Sequence, residues 1–402
     1  MSSIGTGDEL HCAIEFYSLA AAVSLATVAP LPPNSGAQAD GNGKRNRGAA
    51  DEGSILRRLR SLLSSFGLST FGRAMALNWL ERELVSADDA CVRVRRWVLM
   101  LLNGQRRPPG ESVDSFQRGC PQLLPQLRAR PFWTEAELPW LKQVRAAFPV
   151  IKRELLALRR GGAAGSQGFQ PYRAPRGGAA GPTAGRSKNT RDAADGVGSL
   201  AVSTGQWNVF YLLLHNLDFA SNCKRCPHTM ALLGKGNDAL PGCTSYHHAF
   251  FSVLAPGTHV TPHHGPTNKK LRCHLPLIVP KGARCGLRVG SEEHVVVEGE
   301  PFVFDDSFEH EAWNKDNTHS RIVLIFDVWH PDLTPKEVKF LTFLQNTSMR
   351  AAKRATGSSS DGEHDPASDR SDNDSNFFSV IDAARSVPVD ASAIWSSEFN
   401  AS

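Results

Sequence analysis

Short apolar runs separated by glycine and proline fill the stretch from Thr258 to His330. The runs lie at 274–279, 285–289, 294–297 and 301–304, and two longer ones precede them at 207–214 and 249–254. Apolar runs of this length with turn residues between them predict β-strands. Many short strands in succession are typical of an antiparallel sandwich or barrel, in which the two ends of the stretch lie close in space.

A helical pattern precedes these runs. From Ser54 onward, apolar residues recur at spacings of three and four, which predicts a helical region over residues 54–130. A 34-residue period is not evident, so the region is not interpreted as tetratricopeptide repeats. We expect it to form an appended helical domain or a partner-binding arm.

Two Thr-x-x-Glu sequences, beginning at Thr134 and Thr334, have the spacing of a helix capping box. The first predicts a helical lead-in over 131–160, which we expect to break at Pro149 because proline removes a helical hydrogen bond. The second predicts a C-terminal helix over 335–346. The lead-in is expected to pack against the outside of the barrel.

Polar, low-complexity segments flank and interrupt these regions. Residues 1–53 and the acidic tail 351–402 are expected to be disordered, and residues 161–198, rich in Gly, Ala and Arg, to form a flexible insertion. The uncharged run from Phe16 to Ala29 follows an acidic start and is short for a membrane span. A cleaved signal or an anchor there is the less favoured alternative.

Composition argues against some functions. The chain has 402 residues, of which 41% are hydrophobic, enough for one or two domains, and its formal net charge is +5. Its basic residues cluster in loops without interleaved aromatics, so nucleic-acid binding is not expected. Eight cysteines do not define a disulfide framework, and Cys223 with Cys226 alone is a weak zinc signal.

Two histidines at opposite ends of the predicted barrel suggest an iron site. His263 and His310 lie on different predicted strands, and Arg321 lies on a later one. Neutral imidazole suits Fe(II), and non-haem oxygenases leave coordination positions open for a co-substrate and dioxygen. Such sites usually have an acid two residues after the first histidine, but that position is Gly265. The residues alone leave three acids as alternatives for the missing ligand, besides no acid at all: Asp305, Asp306 and Glu309.

Four longer sequences carry a resemblance to a known family. In this order, PHHGPTN, LRCHLPL, FDDSFEHEAW and DVWHP resemble the aspartyl/asparaginyl β-hydroxylases, which are Fe(II)- and 2-oxoglutarate-dependent dioxygenases. The similarity covers the barrel core, residues 205–330, and continues more weakly over 131–172. It implies a mainly β catalytic domain at 131–350. The expected fold is a double-stranded β-helix, jelly-roll or cupin-like, with flanking α-helices.

The resemblance also implies roles for individual residues. The family uses two histidine ligands and has glycine instead of the acid, which matches His263, Gly265 and His310. Arg321 matches the arginine that pairs with the distal carboxylate of 2-oxoglutarate. Four further residues match positions around the co-substrate and the substrate carboxylate: Trp207, Ser252, Arg272 and His274. His264 is a departure, because threonine is usual there.

Other polar residues near these motifs are expected to be structural. Asp305 and Asp306 are expected to cap a turn or orient a neighbour. Glu309 and Trp313 are expected to be packing or rim residues, and His330 is expected to make a structural hydrogen bond. None of these side chains is expected to bind the metal.

The function that the resemblance implies is hydroxylation of the β-carbon of Asp or Asn in a protein or peptide, with O2 as oxidant and succinate and CO2 as co-products. An EGF-like domain is one candidate substrate. The alternatives are the same chemistry on a lipid acyl chain and a non-catalytic cupin-like binding module. Family analogy implies the endoplasmic reticulum or a membrane, and without a signal or anchor at 16–29 the cytoplasm is expected.

Overall fold

A computed structural model describes the following residues: 93, 94, 97, 113–159, 166–172, 202–214, 217–234, 240–282, 284–342, 345, 385 and 387–395. The chain divides into two compact units. The larger comprises Gly110–Leu333 and Asn376–Ser402, and the smaller comprises Met1–Pro109 and Thr334–Ser375. The helix after Thr334 lies in the smaller unit. The extent of the catalytic domain, residues 131–350, stays a prediction.

Thirteen strands in the described part of the chain form two antiparallel sheets. Their bounds are β1 Phe132–Trp133, β2 Gln170–Pro171, β3 Val202–Thr204, β4 Trp207–Leu214, β5 Leu217–Asp218, β6 Ser245–Leu254, β7 Thr258–His263, β8 Lys270–Ile278, β9 Cys285–Val289, β10 Glu292–Val295, β11 Phe302–Phe304, β12 His310–Asn314 and β13 Arg321–Trp329. The larger sheet has the order β1-β11-β8-β13-β6-β4-β2, with β5 paired to β4, and the smaller has the order β10-β9-β12-β7-β3. These interleaved strands confirm the predicted double-stranded β-helix with flanking helices.

The larger sheet buries apolar side chains on both faces. On β8, Leu271, Cys273 and Leu275 belong to the core of the outer face. On β13, Val323 and Ile325 belong to a separate core on the inner face, which looks towards the smaller sheet. Because successive strand residues point to opposite faces, Arg272 and His274, which alternate with these outer-face residues of β8, can line the interior of the sandwich.

Three helices of the described part of the chain flank the larger sheet: α1 Leu141–Arg159, α2 Ala220–Arg225 and α3 Pro227–Leu233. Contrary to expectation, α1 continues through Pro149. Ile151, Leu155 and Leu158 follow that proline and are buried in the outer-face core. Burying each aliphatic side chain contributes about 1.5–3 kcal/mol, which together exceeds the cost of about 3 kcal/mol for a proline inside a helix.

The first capping pair forms, although it does not begin α1. Thr134 Oγ1 donates a hydrogen bond to Glu137 Oε2 at 3.0 Å. This pair closes a turn, and the helix begins only at Leu141, after Pro139. The second capping pair is confirmed, since Thr334 N donates to the Glu337 carboxylate at 2.9 Å and residues 335–342 are helical.

Residues 113–130 are not helical apart from a 3-10 turn at Ser115–Gln117, contrary to the helical region expected up to residue 130. Pro121, Pro125 and Pro131 recur along this segment. Proline removes the helical donor and disfavours helical backbone in the residue before it, so a continuous helix cannot form.

Parts of the tail expected to be disordered, 351–402, and of the expected flexible insertion, 161–198, are packed. Ile394 and Trp395 in the tail are 1% and 7% exposed and belong to the outer-face core. The Trp395 ring lies edge-on to Phe169, with 6.0 Å between ring centroids. Phe169 lies in the predicted insertion 161–198, so this segment too is ordered where the structure describes it. Burial of large aromatic side chains offsets the entropy lost in ordering these short stretches.

The strand predictions succeed to different degrees. The bounds of β4 and β9 are those predicted, whereas β10 begins two residues before the apolar run at 294–297. Residues 1–53 lie outside the described part of the chain, as does most of the predicted helical region 54–130. Among the described helices, none is both long and apolar enough to cross a bilayer.

Candidate active site

His263 and His310 lie side by side on adjacent strands of the smaller sheet. His263 is the last residue of β7 and His310 the first residue of β12, and the two are direct partners in the antiparallel register. Their ring centroids lie 4.1 Å apart. Residues 47 positions apart in the sequence are therefore brought together by strand pairing.

Hydrogen bonds fix the tautomer of both rings. Nδ1 of His263 lies 2.7 Å from the Thr261 carbonyl, and Nδ1 of His310 lies 2.9 Å from the Phe308 carbonyl. Since a carbonyl oxygen only accepts, each Nδ1 carries the proton and each Nε2 keeps a lone pair. Burial lowers the pKa of His263, and burial together with the neighbouring His263 lowers the pKa of His310 well below its usual value.

The space that an acidic side chain at position 265 would need is occupied by Asp306. A methyl group at Gly265 would lie 2.5 Å from Cγ and Oδ2 of Asp306. No side chain therefore fits at Gly265 unless Asp306 moves. Asp306 Oδ2 accepts a hydrogen bond from Lys270 Nζ at 2.6 Å, and its Oδ1 has no partner in the described part of the chain.

The other two candidate acids have partners of their own. Asp305 Oδ1 accepts from the Ser307 backbone N–H at 2.9 Å, which closes the turn before β12 as expected. Glu309 receives a hydrogen bond from Arg288 at 3.1 Å. Within the described residues, no group of three or more His, Cys, Asp and Glu side chains is arranged to hold a metal ion.

Arg321 is a buried cation with unsatisfied donors. The residue is 1% exposed, and its Nε and Nη1 atoms have no hydrogen-bond partner among the described residues. Burial lowers the pKa of Arg321 to about 10, so the guanidinium remains charged at neutral pH. An unpaired buried charge is costly, and an anionic ligand would relieve that cost.

His274 lies close enough to Arg321 to be affected by its charge. Burial and Arg321 lower the pKa of His274 well below its usual value, which keeps the ring neutral. Both ring nitrogens of His274 are buried and lack partners within the described chain. The ring packs edge-on against Phe302 and Phe304, with centroids at 5.1 and 5.0 Å.

Ser252 and Trp207 lie beside this arginine. In the register of the larger sheet, Trp207 and Arg321 both pair with Leu254 of β6, two residues after Ser252. Trp207 Nε1 donates to Ser252 Oγ at 3.0 Å. Tyr172 stacks on the Trp207 indole with 3.7 Å between ring centroids. The predicted co-substrate residues are thus neighbours on the inner face.

Arg272 has a different environment from His274. Its guanidinium donates to both carboxylate oxygens of Asp327, at 2.8 and 3.0 Å, and lies 3.5 Å from Asp306. Burial opposes its charge, but Asp327 and Asp306 together raise the pKa of Arg272. Lys270 and His248 also contact Asp327, at 3.0 and 2.7 Å. Arg272 is therefore already paired, and its expected role at the substrate stays a prediction.

The ionic cluster of Lys270, Arg272, Asp306, Asp327 and His248 was only partly recognised from the sequence. Lys270, Arg272 and His274 alternate with the apolar residues of β8, and this period of two would have placed all three on the inner face. Asp327 is two residues from the end of β13, within the DVWHP motif.

His330 makes the structural contacts expected of it, accepting from Asp332 N and donating to the Arg128 carbonyl, both at 3.1 Å.

Asp305 should make stability depend on pH. Burial raises its pKa from 3.8 to about 7, although hydrogen bonds from Ser307 oppose the shift. Between about pH 4 and pH 7 the folded chain holds a proton that the unfolded chain has released, so the free energy of unfolding falls as the pH rises. Asp305→Asn is expected to remove this fall. Denaturant unfolding of both proteins across that range measures the difference, and parallel curves would contradict the assignment.

The side chains of His263, His310 and Arg321 fit Fe(II) and 2-oxoglutarate. Two neutral imidazoles with free Nε2 lone pairs are suitable donors for Fe(II). The unsatisfied guanidinium of Arg321 provides a planar fork that matches a carboxylate. These observations concern the chemistry of the donors, and the assignment of His263, His310 and Arg321 stays a prediction.

Comparison with known proteins supplies the family context. Residues 145–331 match the family model described as Aspartyl/Asparaginyl beta-hydroxylase. Mouse aspartyl/asparaginyl beta-hydroxylase is 43% identical over 137 residues, which are 34% of this chain and 18% of the mouse protein. The ornithine lipid ester-linked acyl 2-hydroxylase of Rhizobium tropici is 31% identical over 208 residues, 51% of this chain and 62% of that protein.

A solved 2OG-Fe(II) oxygenase from Burkholderia pseudomallei covers 52% of this chain and 96% of its own, with 11% identity and a TM-score of 0.31. That likeness is weak. This chain spans less than two thirds of the Rhizobium tropici protein and about a fifth of the mouse protein.

Proposed function

We propose that this protein, whose residues 145–331 belong to the aspartyl/asparaginyl β-hydroxylase family, is an Fe(II)- and 2-oxoglutarate-dependent dioxygenase that hydroxylates the β-carbon of Asp or Asn in a protein or peptide. The observation that carries the proposal is the direct cross-strand pairing of His263 with His310 on the smaller sheet, combined with a buried arginine on the larger sheet, Arg321, whose Nε and Nη1 have no partner among the described residues.

The chain's own residues have separate tasks in this proposal. Nε2 of His263 and Nε2 of His310 hold the metal, and their low pKa values keep both rings neutral at physiological pH. Arg321 holds the distal carboxylate of 2-oxoglutarate, with Ser252 as a neighbouring hydroxyl. When bound, Fe(II) and 2-oxoglutarate supply the oxidation of a C–H bond by dioxygen, with release of succinate and CO2.

Charge balance explains why such a site can work without an acidic ligand. Two neutral imidazoles leave the charge of Fe(II) uncompensated, so the dianionic co-substrate is favoured at the metal. At the other end of 2-oxoglutarate, the distal carboxylate compensates the positive charge of the Arg321 guanidinium. Phe302 and Phe304 belong to one apolar cluster, and the partly buried Trp207 packs against it. This cluster would keep water from the bound co-substrate.

The experiment is succinate formation by the purified full chain. Turnover is expected to require both Fe(II) and 2-oxoglutarate, and to be stimulated by an Asp- or Asn-containing peptide that gains the mass of one oxygen. EGF-like peptides are the first panel to test. Binding of Fe(II) and 2-oxoglutarate without any turnover or peptide modification would contradict the proposed reaction and favour a non-catalytic binding module.

A lipid acyl chain is the second candidate substrate. The Rhizobium tropici relative is named for acyl 2-hydroxylation, and its match extends over more of this chain than that of the mouse protein. Parallel assays with ornithine-lipid vesicles and with peptides separate the two. Oxygen incorporation into the acyl chain alone would overturn the peptide proposal while keeping the cofactors.

A further inference from the structure

Residues 113–131, here called the strap, lie across the loop that follows His263. Gln122 N donates to the Pro266 carbonyl at 3.2 Å, so the contact is made by backbone groups. Leu124 N donates to Asn268 Oδ1 at 2.7 Å, and Asn268 Nδ2 donates back to the Leu124 carbonyl at 2.9 Å. The first histidine loop, residues 264–268, is thereby attached to the strap at two points.

The same strap also holds the loop before His310. Gln117 Nε2 donates to Ser307 Oγ at 2.8 Å and to Asp305 Oδ2 at 3.3 Å, and Gln117 is only 4% exposed. Glu309 N donates to the Phe116 carbonyl at 2.7 Å. The second histidine loop, residues 305–309, is therefore fixed by both a buried side chain and backbone groups.

The two loops also contact each other under the strap. Gly265 N donates to the Asp306 carbonyl at 2.6 Å. Nδ1 of His264 lies 3.0 Å from the Ser307 carbonyl, to which it donates. At Gly119 the strap lies against His264, where an added methyl group would lie 2.1 Å from Nε2 of His264. Only a residue without a side chain permits this approach.

We propose that the strap belongs to the metal site as a positioning element, and that Gly119 and Gln117 set the spacing of the two histidine-bearing loops. This inference rests on the proposed function, since it assigns the strap to the same metal. The strap precedes residues 145–331, so it is absent from the part of the chain that matches the family model.

A two-histidine site gives this positioning particular weight. With no acidic ligand from the chain, metal affinity depends on the relative placement of two imidazoles. Residues that only orient ligands commonly change metal affinity 10- to 100-fold when replaced. His264 stands between Gly119 and the Ser307 carbonyl, and it is the immediate neighbour of His263, so displacing its ring shifts both loops.

The test measures Co(II) binding to the full chain by equilibrium titration. Gly119→Ala is expected to weaken Co(II) binding about tenfold, because the added methyl group displaces His264. Gly119 lacks a positive φ, so alanine causes no backbone strain there. In a His264→Ala background, the same change is expected to have less than about a twofold effect, because the obstructing ring is gone. A substitution that acted elsewhere than on the His264 ring would show no such rescue.

Gln117→Ala provides a second variant should Gly119→Ala fail to fold, and it too is expected to weaken binding about tenfold. Gln143→Ala is the matched control: its side chain is exposed on α1, outside the strap. Co(II) affinity is expected to be unchanged in this control.

The outcomes separate the two proposals. If the wild type binds no Co(II), or if His310→Ala binds it as tightly, both the proposed function and the strap inference fail. If wild-type binding depends on His310 but Gly119→Ala and Gln117→Ala bind normally, the strap inference alone fails. An equal loss from Gly119→Ala with and without His264 would also overturn it.

Discussion

Replacing His310 by alanine is expected to weaken Fe(II) binding by more than about 100-fold and to abolish succinate formation. Half of the protein ligands at the proposed site are removed, which is a larger change than replacing a residue that only orients a ligand. Anaerobic Fe(II) titration and a succinate assay measure the two effects. The metal-free variant should still fold, because the substitution leaves the outer-face core unchanged.

His259→Ala is the matched control for this variant. His259 lies on β7 with His263, but its ring contacts Ser203 and Glu311 at 2.9 and 2.8 Å. It is therefore expected to keep normal iron affinity. Turnover by His310→Ala close to that of the wild type would remove the ligand assignment.

Replacing Arg321 by methionine is expected to weaken 2-oxoglutarate binding on the order of 100-fold or more. Removing one partner from a buried charge pair costs about 3–5 kcal/mol, and about 1.4 kcal/mol corresponds to a tenfold change in affinity. Because Arg321 is buried without partners at Nε and Nη1 in the described structure, the ligand-free variant is expected to be no less stable than the wild type. A residue with a purely structural role would show the opposite.

Arg321→Lys and Arg284→Ala refine this result. Lysine keeps the charge but loses the planar fork, so an intermediate loss of about tenfold is expected. Arg284 is half exposed, and its loss should leave the co-substrate affinity unchanged. Isothermal titration with the metal present measures all three variants, and an unchanged Kd in Arg321→Met would contradict the co-substrate assignment.

The sequence was most informative where one pattern decided the structure. Trp207–Leu214 and Cys285–Val289 are bounded apolar runs, and both form strands with the expected limits. The Thr334–Glu337 pair similarly satisfies both backbone donors of its capping box. In these cases the residues within a few positions determine the outcome.

Long-range contacts account for the predictions that failed. Pro149 predicts a helix break locally, but the burial of Ile151 and Leu155 on the sheet outweighs it. Trp395 lies in a polar tail, and its burial in the outer-face core, including its contact with Phe169, explains its order. The contact of Gly119 with His264 joins positions 145 residues apart, so no local pattern could have revealed it.

For His263 and His310, the sequence identified the residues but not their arrangement in space. Motif resemblance selected the two residues, while their antiparallel register and the 4.1 Å between their rings come only from the fold. Similarly, Arg321 was selected by resemblance, but its unsatisfied buried donors could be seen only in three dimensions.

A crystal structure of the anaerobic complex with Fe(II) and 2-oxoglutarate tests the central claim most directly. It is expected to show one iron ion held by His263 and His310 as its only protein ligands, with the distal carboxylate of 2-oxoglutarate on Arg321. Iron bound by Asp306 or another acid, or 2-oxoglutarate bound away from Arg321, would contradict it.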